Sequence, residues 1–133
     1  MPVNFGGKWT LMATNNYEHF LTDMKVPEAV QKELLKKTNL EIVHEGDTIK
    51  YRRERGDAIF EIDINIGQEY TELTYGHSEV RICKWEGDKL VIKAVDGKGN
   101  WASCIEFVDD QLVATDTSPR GISGKRIFQR VTT

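Results

Sequence analysis

Long apolar runs are missing from this 133-residue sequence. No stretch approaches the ~20 consecutive apolar residues that a membrane-spanning helix needs. The first nine residues, Met1 to Trp9, contain no apolar core of signal-peptide length. We therefore expect a single domain over residues 1–133 that lies in the cytoplasm.

The sequence also has few cysteines and no large excess of charge of either sign. The chain has two cysteines, Cys83 and Cys104, and its 18 basic residues are nearly balanced by 21 acidic residues, for a net charge of −3. In a reducing compartment the two cysteines are expected as free thiols rather than as a disulfide. The balanced charge gives no global basic field, which argues against nucleic-acid binding.

Sequence signals for catalysis, metals and cofactors are missing as well. His19, His44 and His77 show no metal-ligand spacing with one another or with the cysteines. The segment 121–125 lacks phosphate-loop spacing, and 96–100 is a turn with no helix after it. No Gly-x-Ser-x-Gly motif is present. We predict a protein that is not an enzyme and has no catalytic residues, metal site or cofactor.

Two short helices are predicted near the N-terminus. Apolar residues recur at i, i+3, i+4 and i+7 on one helical face: Tyr17, Phe20, Leu21 and Met24. Residues 14–16 offer side-chain oxygens that could cap this helix. The second helix is predicted to begin at Pro27 and to end at Thr38-Asn39, with Val30 and Leu34 on one face.

The period changes to two in the rest of the chain. Phe60, Ile62, Ile64 and Ile66 alternate with polar residues, as in a half-buried strand. Turn signals such as Glu45-Gly46-Asp47 recur roughly every ten residues, which predicts an antiparallel meander. The later strands are predicted at 70–74, 80–85, 90–95, 101–107, 112–117 and 122–131. One strand, two helices and about nine further strands would close into a barrel that the helices cap at one end.

Short motifs along the whole chain carry a resemblance to a known family. They are Gly7-Lys8-Trp9-Thr10-Leu11, Asn16-Tyr17-Glu18, Phe20-Leu21, Met24, Glu45-Gly46-Asp47-Thr48, Gly67-Gln68-Glu69-Tyr70, Lys84-Trp85-Glu86-Gly87-Asp88 and Lys125-Arg126-Ile127-Phe128. These motifs resemble the intracellular lipid-binding proteins, which include the fatty-acid-binding and cellular retinoid-binding proteins. The resemblance implies an all-β, calycin-like fold, a ten-stranded antiparallel closed barrel with a two-helix lid. A barrel of that width leaves an internal cavity.

The resemblance also implies a function. It is that of a monomeric carrier that binds one hydrophobic ligand, a long-chain fatty acid or a retinoid, inside the barrel. Two alternatives stay open: a member that binds a bile acid or sterol, and a ligand-free scaffold that acts through its surface.

Arg126 is the most informative candidate for binding a polar head group. Carboxylate-binding members of the family use an Arg-x-Tyr pattern on the last strand, where this chain has Arg126 and Phe128. The family's second polar residue and its retinol-site lysine correspond to the apolar Ile105 and Leu40. Because Phe128 is apolar and has the same strand parity, we predict that Arg126 points inward. Its charge would then need a partner: a ligand carboxylate, an internal acid such as Glu72 or Glu106, or ordered water.

The predicted ligand-binding residues lie on the apolar helix faces or have inward parity on the strands. They are Tyr17, Phe20, Leu21, Met24, Val30, Tyr51, Arg53, Ala58, Phe60, Ile62, Ile105, Arg126 and Phe128.

Basic residues cluster where the resemblance brings the lid close to a strand turn. They are Lys36, Lys37, Arg52, Arg53 and Arg55. Such a cluster could draw the protein transiently to an anionic membrane surface. More often such charges form only a solvated face, and we favour that interpretation.

Overall fold

The computed structural model describes residues 3–74, 77–95 and 102–131. Within these ranges the first strand, β1, spans Gly7–Asn15, and the helices α1 and α2 span Tyr17–Asp23 and Glu28–Leu34. Strands β2 to β10 follow: Asn39–Glu45, Thr48–Arg55, Ala58–Asn65, Glu69–Thr74, His77–Glu86, Lys89–Ala94, Ala102–Val108, Gln111–Thr117 and Ser123–Arg130. The predicted order of one strand, two helices and nine strands is therefore confirmed. The predicted turn at 96–100 and the predicted strand residue Trp101 lie outside the described residues.

All ten strands belong to one antiparallel sheet in the order β4-β3-β2-β1-β10-β9-β8-β7-β6-β5. β1 and β10 pair with each other, so the two ends of the chain meet in the middle of the sheet. Among the described residues no hydrogen-bonded ladder joins the edge strands β4 and β5. The predicted barrel is confirmed, and it is nearly closed, with a seam between these two strands.

One core cluster fills the barrel end farthest from the helices, where β1 begins and β2 ends. The Phe5 ring packs on Phe107 at 4.9 Å and on Trp85 at 6.0 Å between centroids. The Trp9 indole Nε1 donates a 3.1 Å hydrogen bond to the backbone oxygen of Phe5. Aromatic packing therefore closes this end, because large rings bury much apolar area and prefer such offset contacts.

A second core cluster holds α1 against β10. Tyr17, Phe20 and Leu21 are buried, as the helical periodicity predicts. A Cβ atom at Gly124 of β10 would lie 2.7 Å from the Tyr17 Cα and 2.9 Å from the Phe20 Cβ. Glycine is therefore what lets the helix backbone approach the strand so closely. Arg120 also ties α1 to the β9–β10 turn through a 2.9 Å ion pair with Asp23.

α1 begins at Tyr17, as predicted, but the end of α2 and the capping of α1 differ from the prediction. α2 ends at Leu34 instead of Thr38-Asn39, because the Thr38 carbonyl accepts a 2.8 Å hydrogen bond from the Leu11 amide of β1 and Asn39 already begins β2. Asn16 lies at the N-cap of α1, but its φ is 60° and, among the described residues, its side chain caps no helix amide. Its Nδ2 instead donates a 2.9 Å hydrogen bond to the Ser123 carbonyl.

The described residues contain no helix that is long and apolar enough to span a membrane. Cys83 and Cys104 are free thiols, as predicted. Cys83 is buried in the barrel core. Cys104 alternates with the cavity-facing Ser103 and Ile105 on β8, so its side chain lies on the outer face.

The two thiols should therefore differ in reactivity. Burial raises the pKa of Cys83 to about 12, so at about pH 8 its thiolate is roughly three orders of magnitude rarer than in an exposed cysteine. Burial also raises the pKa of Cys104, but that thiol is only partly covered. Timed alkylation with iodoacetamide and peptide mass analysis should label Cys104 first in the folded protein. Equal labelling rates in the folded protein would contradict this expectation, whereas equal rates in urea are the control.

Candidate ligand-binding site

A cavity of about 90 Å³ lies inside the barrel. Its lining comes from eight strands, each contributing residues of one parity. The lining residues are Leu40, Ile42, Tyr51, Arg53, Phe60, Ile62, Ile64, Glu72, Ile92, Ser103, Ile105, Leu112, Ala114, Asp116, Arg126 and Phe128. Alternation along each strand therefore builds a mostly apolar wall with few polar groups, as in typical small-molecule sites.

Seven of the predicted site residues meet in this lining. They are Tyr51, Arg53, Phe60, Ile62, Ile105, Arg126 and Phe128. Leu40, which stands where the resemblance placed a lysine in retinol-binding members, also lines the cavity. The strand parity thus predicted well which side chains face the interior.

The other six predicted site residues lie outside the lining. Tyr17, Phe20 and Leu21 are buried between α1 and β10, and Met24 packs against that cluster. Val30 is 41% exposed, because α2, all of which is described, buries none of its residues. Ala58 is exposed beside the turn that opens β4. The helix faces are therefore buried against a strand or left in solvent, instead of forming the cavity wall.

Three polar side chains from adjacent strands form one cluster in the cavity wall. The Arg126 Nη2 lies 3.3 Å from the Asp116 Oδ2, and the Ser103 hydroxyl donates a 2.6 Å hydrogen bond to the Asp116 Oδ1. Ser103 faces Asp116 directly across β8 and β9, whereas Arg126 pairs with Ala114 and reaches Asp116 diagonally. We call Ser103, Asp116 and Arg126 the polar cluster. Arg126 is confirmed as an inward residue.

The polar cluster is well covered by protein. The exposed fraction is 2% for the Asp116 side chain and 13% for that of Arg126. The Arg126 guanidinium also lies 5.2 Å from the centre of the Tyr17 ring, so Tyr17 of α1 touches the cluster although it does not line the cavity. Coulomb attraction within the ion pair is stronger here than at the surface, because little water screens it.

The ionisable residues in the lining balance each other. Among the lining residues that the structure describes, Arg53 and Arg126 are basic and Glu72 and Asp116 are acidic, so their formal charges sum to zero. The Arg53 guanidinium lies 4.7 Å over the Phe60 ring. Glu72 accepts a 3.2 Å hydrogen bond from the Tyr70 hydroxyl, and burial together with the Glu72 charge raises the pKa of Tyr70 well above its usual value. Tyr70 therefore stays a hydrogen-bond donor.

Arg126 pairs with an internal acid, as expected, and that acid is Asp116, which was not among the residues named from the sequence. Glu72 lines the cavity, but the ion pair is with Asp116. Glu106 alternates with Ile105, lies on the outer face, and is 3.8 Å from Lys89. A usable signal existed, because Asp116 has the same strand parity as the apolar residues Leu112 and Ala114.

The comparison with known proteins extends over nearly the whole chain, although no protein-family model matches it. Retinol-binding protein 1 of Bos taurus is 33% identical over an alignment of 138 positions, which covers 98% of this chain and 99% of the relative. The liver fatty acid-binding protein of Mus musculus is 32% identical over 97% of this chain and 100% of the relative.

Solved structures show the same fold. The REP1-NXSQ fatty acid transporter superposes with a TM-score of 0.87 at 22% identity and covers 96% of each chain. Human cRBP IV superposes with a TM-score of 0.85 at 22% identity, over 98% of this chain and 100% of the other. With the sequence identity to curated relatives over almost the entire length, this protein belongs to the intracellular lipid-binding protein family.

Proposed function

We propose that this protein is a cytoplasmic, monomeric carrier that holds one hydrophobic ligand, a retinoid or a long-chain fatty acid, in the barrel. The observation that supports it most is the cavity wall, which is mostly apolar because each strand turns its apolar parity inward, and which is interrupted by the polar cluster. The names of the relatives, retinol-binding and fatty acid-binding proteins, support the same ligand classes. Burial of apolar ligand surface would drive binding at about 25 cal/mol per Å² gross.

Carriage without catalysis suits this cavity. The charges of Asp116 and Arg126 are engaged with each other, so they can orient a ligand without having to exchange protons with it. A ligand-free scaffold would not need an internal cavity, so the scaffold alternative is not favoured.

A binding titration tests the carrier function. All-trans-retinol and a fluorescent long-chain fatty acid should each be examined, and at least one should bind with one-to-one stoichiometry and gain intensity in the dry cavity. Quenching of, or energy transfer from, the three tryptophans of the chain should saturate at the same ratio, because it reports the same binding event. If both probes fail to bind at micromolar concentrations, the carrier proposal is wrong.

We propose that ligand exchange involves a transient contact with anionic membrane through Lys36 and Lys37 beside α2. The other basic residues of the predicted cluster are engaged elsewhere. Arg53 lines the cavity, Arg55 donates a 3.2 Å hydrogen bond to the Thr38 hydroxyl, and Arg52 lies 3.1 Å from Glu54. Lys36 and Lys37 are exposed, although Lys36 also lies 2.8 Å from Glu33.

The variant Lys36→Glu/Lys37→Glu should slow ligand transfer to anionic vesicles and leave equilibrium affinity unchanged. Each basic residue near such a surface contributes about 1 kcal/mol, and the difference should shrink as salt is raised. Lys84→Glu/Lys93→Glu is the matched control, because both lysines are exposed but lie on β6 and β7, away from α2 in the sequence. If the transfer rates are the same for both double variants, or do not depend on vesicle charge, Lys36 and Lys37 form an ordinary solvated surface and the proposed membrane contact is wrong.

A further inference from the structure

The polar cluster places a fixed negative charge beside the arginine that would receive an acidic head group. Asp116 is almost completely buried, lies 3.3 Å from Arg126 and accepts the 2.6 Å hydrogen bond from Ser103. Both of its oxygens are therefore positioned by neighbouring strands. The carboxylate belongs to the wall itself, and any ligand that reaches Arg126 meets Asp116 as well.

A ligand carboxylate and a ligand hydroxyl would behave differently at this position. A carboxylate only accepts hydrogen bonds, so it could bind Arg126 but would bring a second negative charge next to Asp116 in a poorly screened interior. A hydroxyl can donate to the Asp116 carboxylate and accept from the Arg126 guanidinium at the same time. It adds no charge to the described lining residues, whose formal charges already sum to zero.

We propose that Asp116 determines the head-group class of the ligand, so that the cavity selects a lipid with a neutral hydroxyl head group over the corresponding carboxylate. This inference rests on the proposed carrier function and makes it more specific. Arg126 then has two tasks, since it neutralises Asp116 and donates to the ligand oxygen. Asp116 is the specificity-determining residue, because its charge repels the acid and its oxygen accepts a hydrogen bond from the hydroxyl of the alcohol.

Oleyl alcohol and oleate, which share one chain and differ in head group, test this proposal. The unmodified protein should bind the alcohol more tightly, by on the order of tenfold to a hundredfold, which is the size expected when like charges meet in a binding site. Asp116→Asn keeps the side-chain volume and an oxygen for the Ser103 hydroxyl but removes the charge. It should shift the ratio of affinities toward oleate by a similar factor. Asp63→Asn, an exposed change on β4 with the same effect on net charge, should leave the ratio unaltered.

Each other outcome has a distinct meaning. If the unmodified protein binds oleate as tightly as the alcohol, the proposal is overturned, whether or not Asp116→Asn folds. If oleate binding falls in Arg53→Gln but is unchanged in Asp116→Asn, the ligand carboxylate binds to Arg53, and the proposal is again wrong. If neither lipid nor retinol binds the unmodified protein, the carrier function itself fails, and the inference fails with it.

Discussion

Phe20→Ala should lower the free energy of unfolding by about 3–5 kcal/mol and should change the rate of ligand release little. The Phe20 ring is fully buried, stacks on Tyr17 at 5.9 Å between centroids, and packs where Gly124 lets α1 approach β10. It does not line the cavity. Truncation therefore leaves a void in the helix-to-strand packing, and the wall that holds the ligand is unchanged.

Urea denaturation of the ligand-free protein and stopped-flow ligand release measure the two effects separately. Val30→Ala on α2 is the control, because Val30 is apolar but 41% exposed, and its truncation should change stability by less than about 0.5 kcal/mol. A Phe20→Ala protein of normal stability that releases ligand many times faster would show that this ring is a gate and not a packing residue.

Phe20 and Val30 also show what the sequence could and could not predict about the helices. The period of 3.6 indicates that one side of a helix is apolar, but it does not say what covers that side. α1 is covered because Gly124, far away in the sequence, offers a strand surface without a side chain. Leu34 of α2 packs against the α1 cluster, but Val30 stays 41% exposed although its spacing resembles that of buried residues.

The strands were easier to predict, because a strand has two faces and the apolar residues mark the inner one. Phe60 and Ile62 identify the inward parity of β4, and Phe128 identifies that of β10 and therefore the direction of Arg126. Asp116 was missed because a carboxylate in a strand is ordinarily exposed. Its burial depends on two residues of other strands, Ser103 and Arg126, which only the register of the sheet brings together.

Arg126→Met should destabilise the ligand-free protein by about 3–5 kcal/mol, because it leaves the buried Asp116 charge without its cation. The double variant Arg126→Met/Asp116→Asn should recover most of that loss, since the remaining amide carries no charge and still accepts the Ser103 hydrogen bond. Urea denaturation of the four proteins of this cycle gives the coupling energy of the pair.

An exposed ion pair provides the comparison that makes the cycle decisive. Lys36 and Glu33 lie 2.8 Å apart, closer than Arg126 and Asp116, but their side chains are 58% and 60% exposed. Lys36→Met should therefore cost no more than about 1 kcal/mol. Because the shorter pair is expected to matter less, burial and not distance sets the size of the effect. Equal losses in Arg126→Met and Lys36→Met would mean that water reaches the polar cluster and screens it, and Asp116 would then be too weak a charge to exclude an acidic ligand.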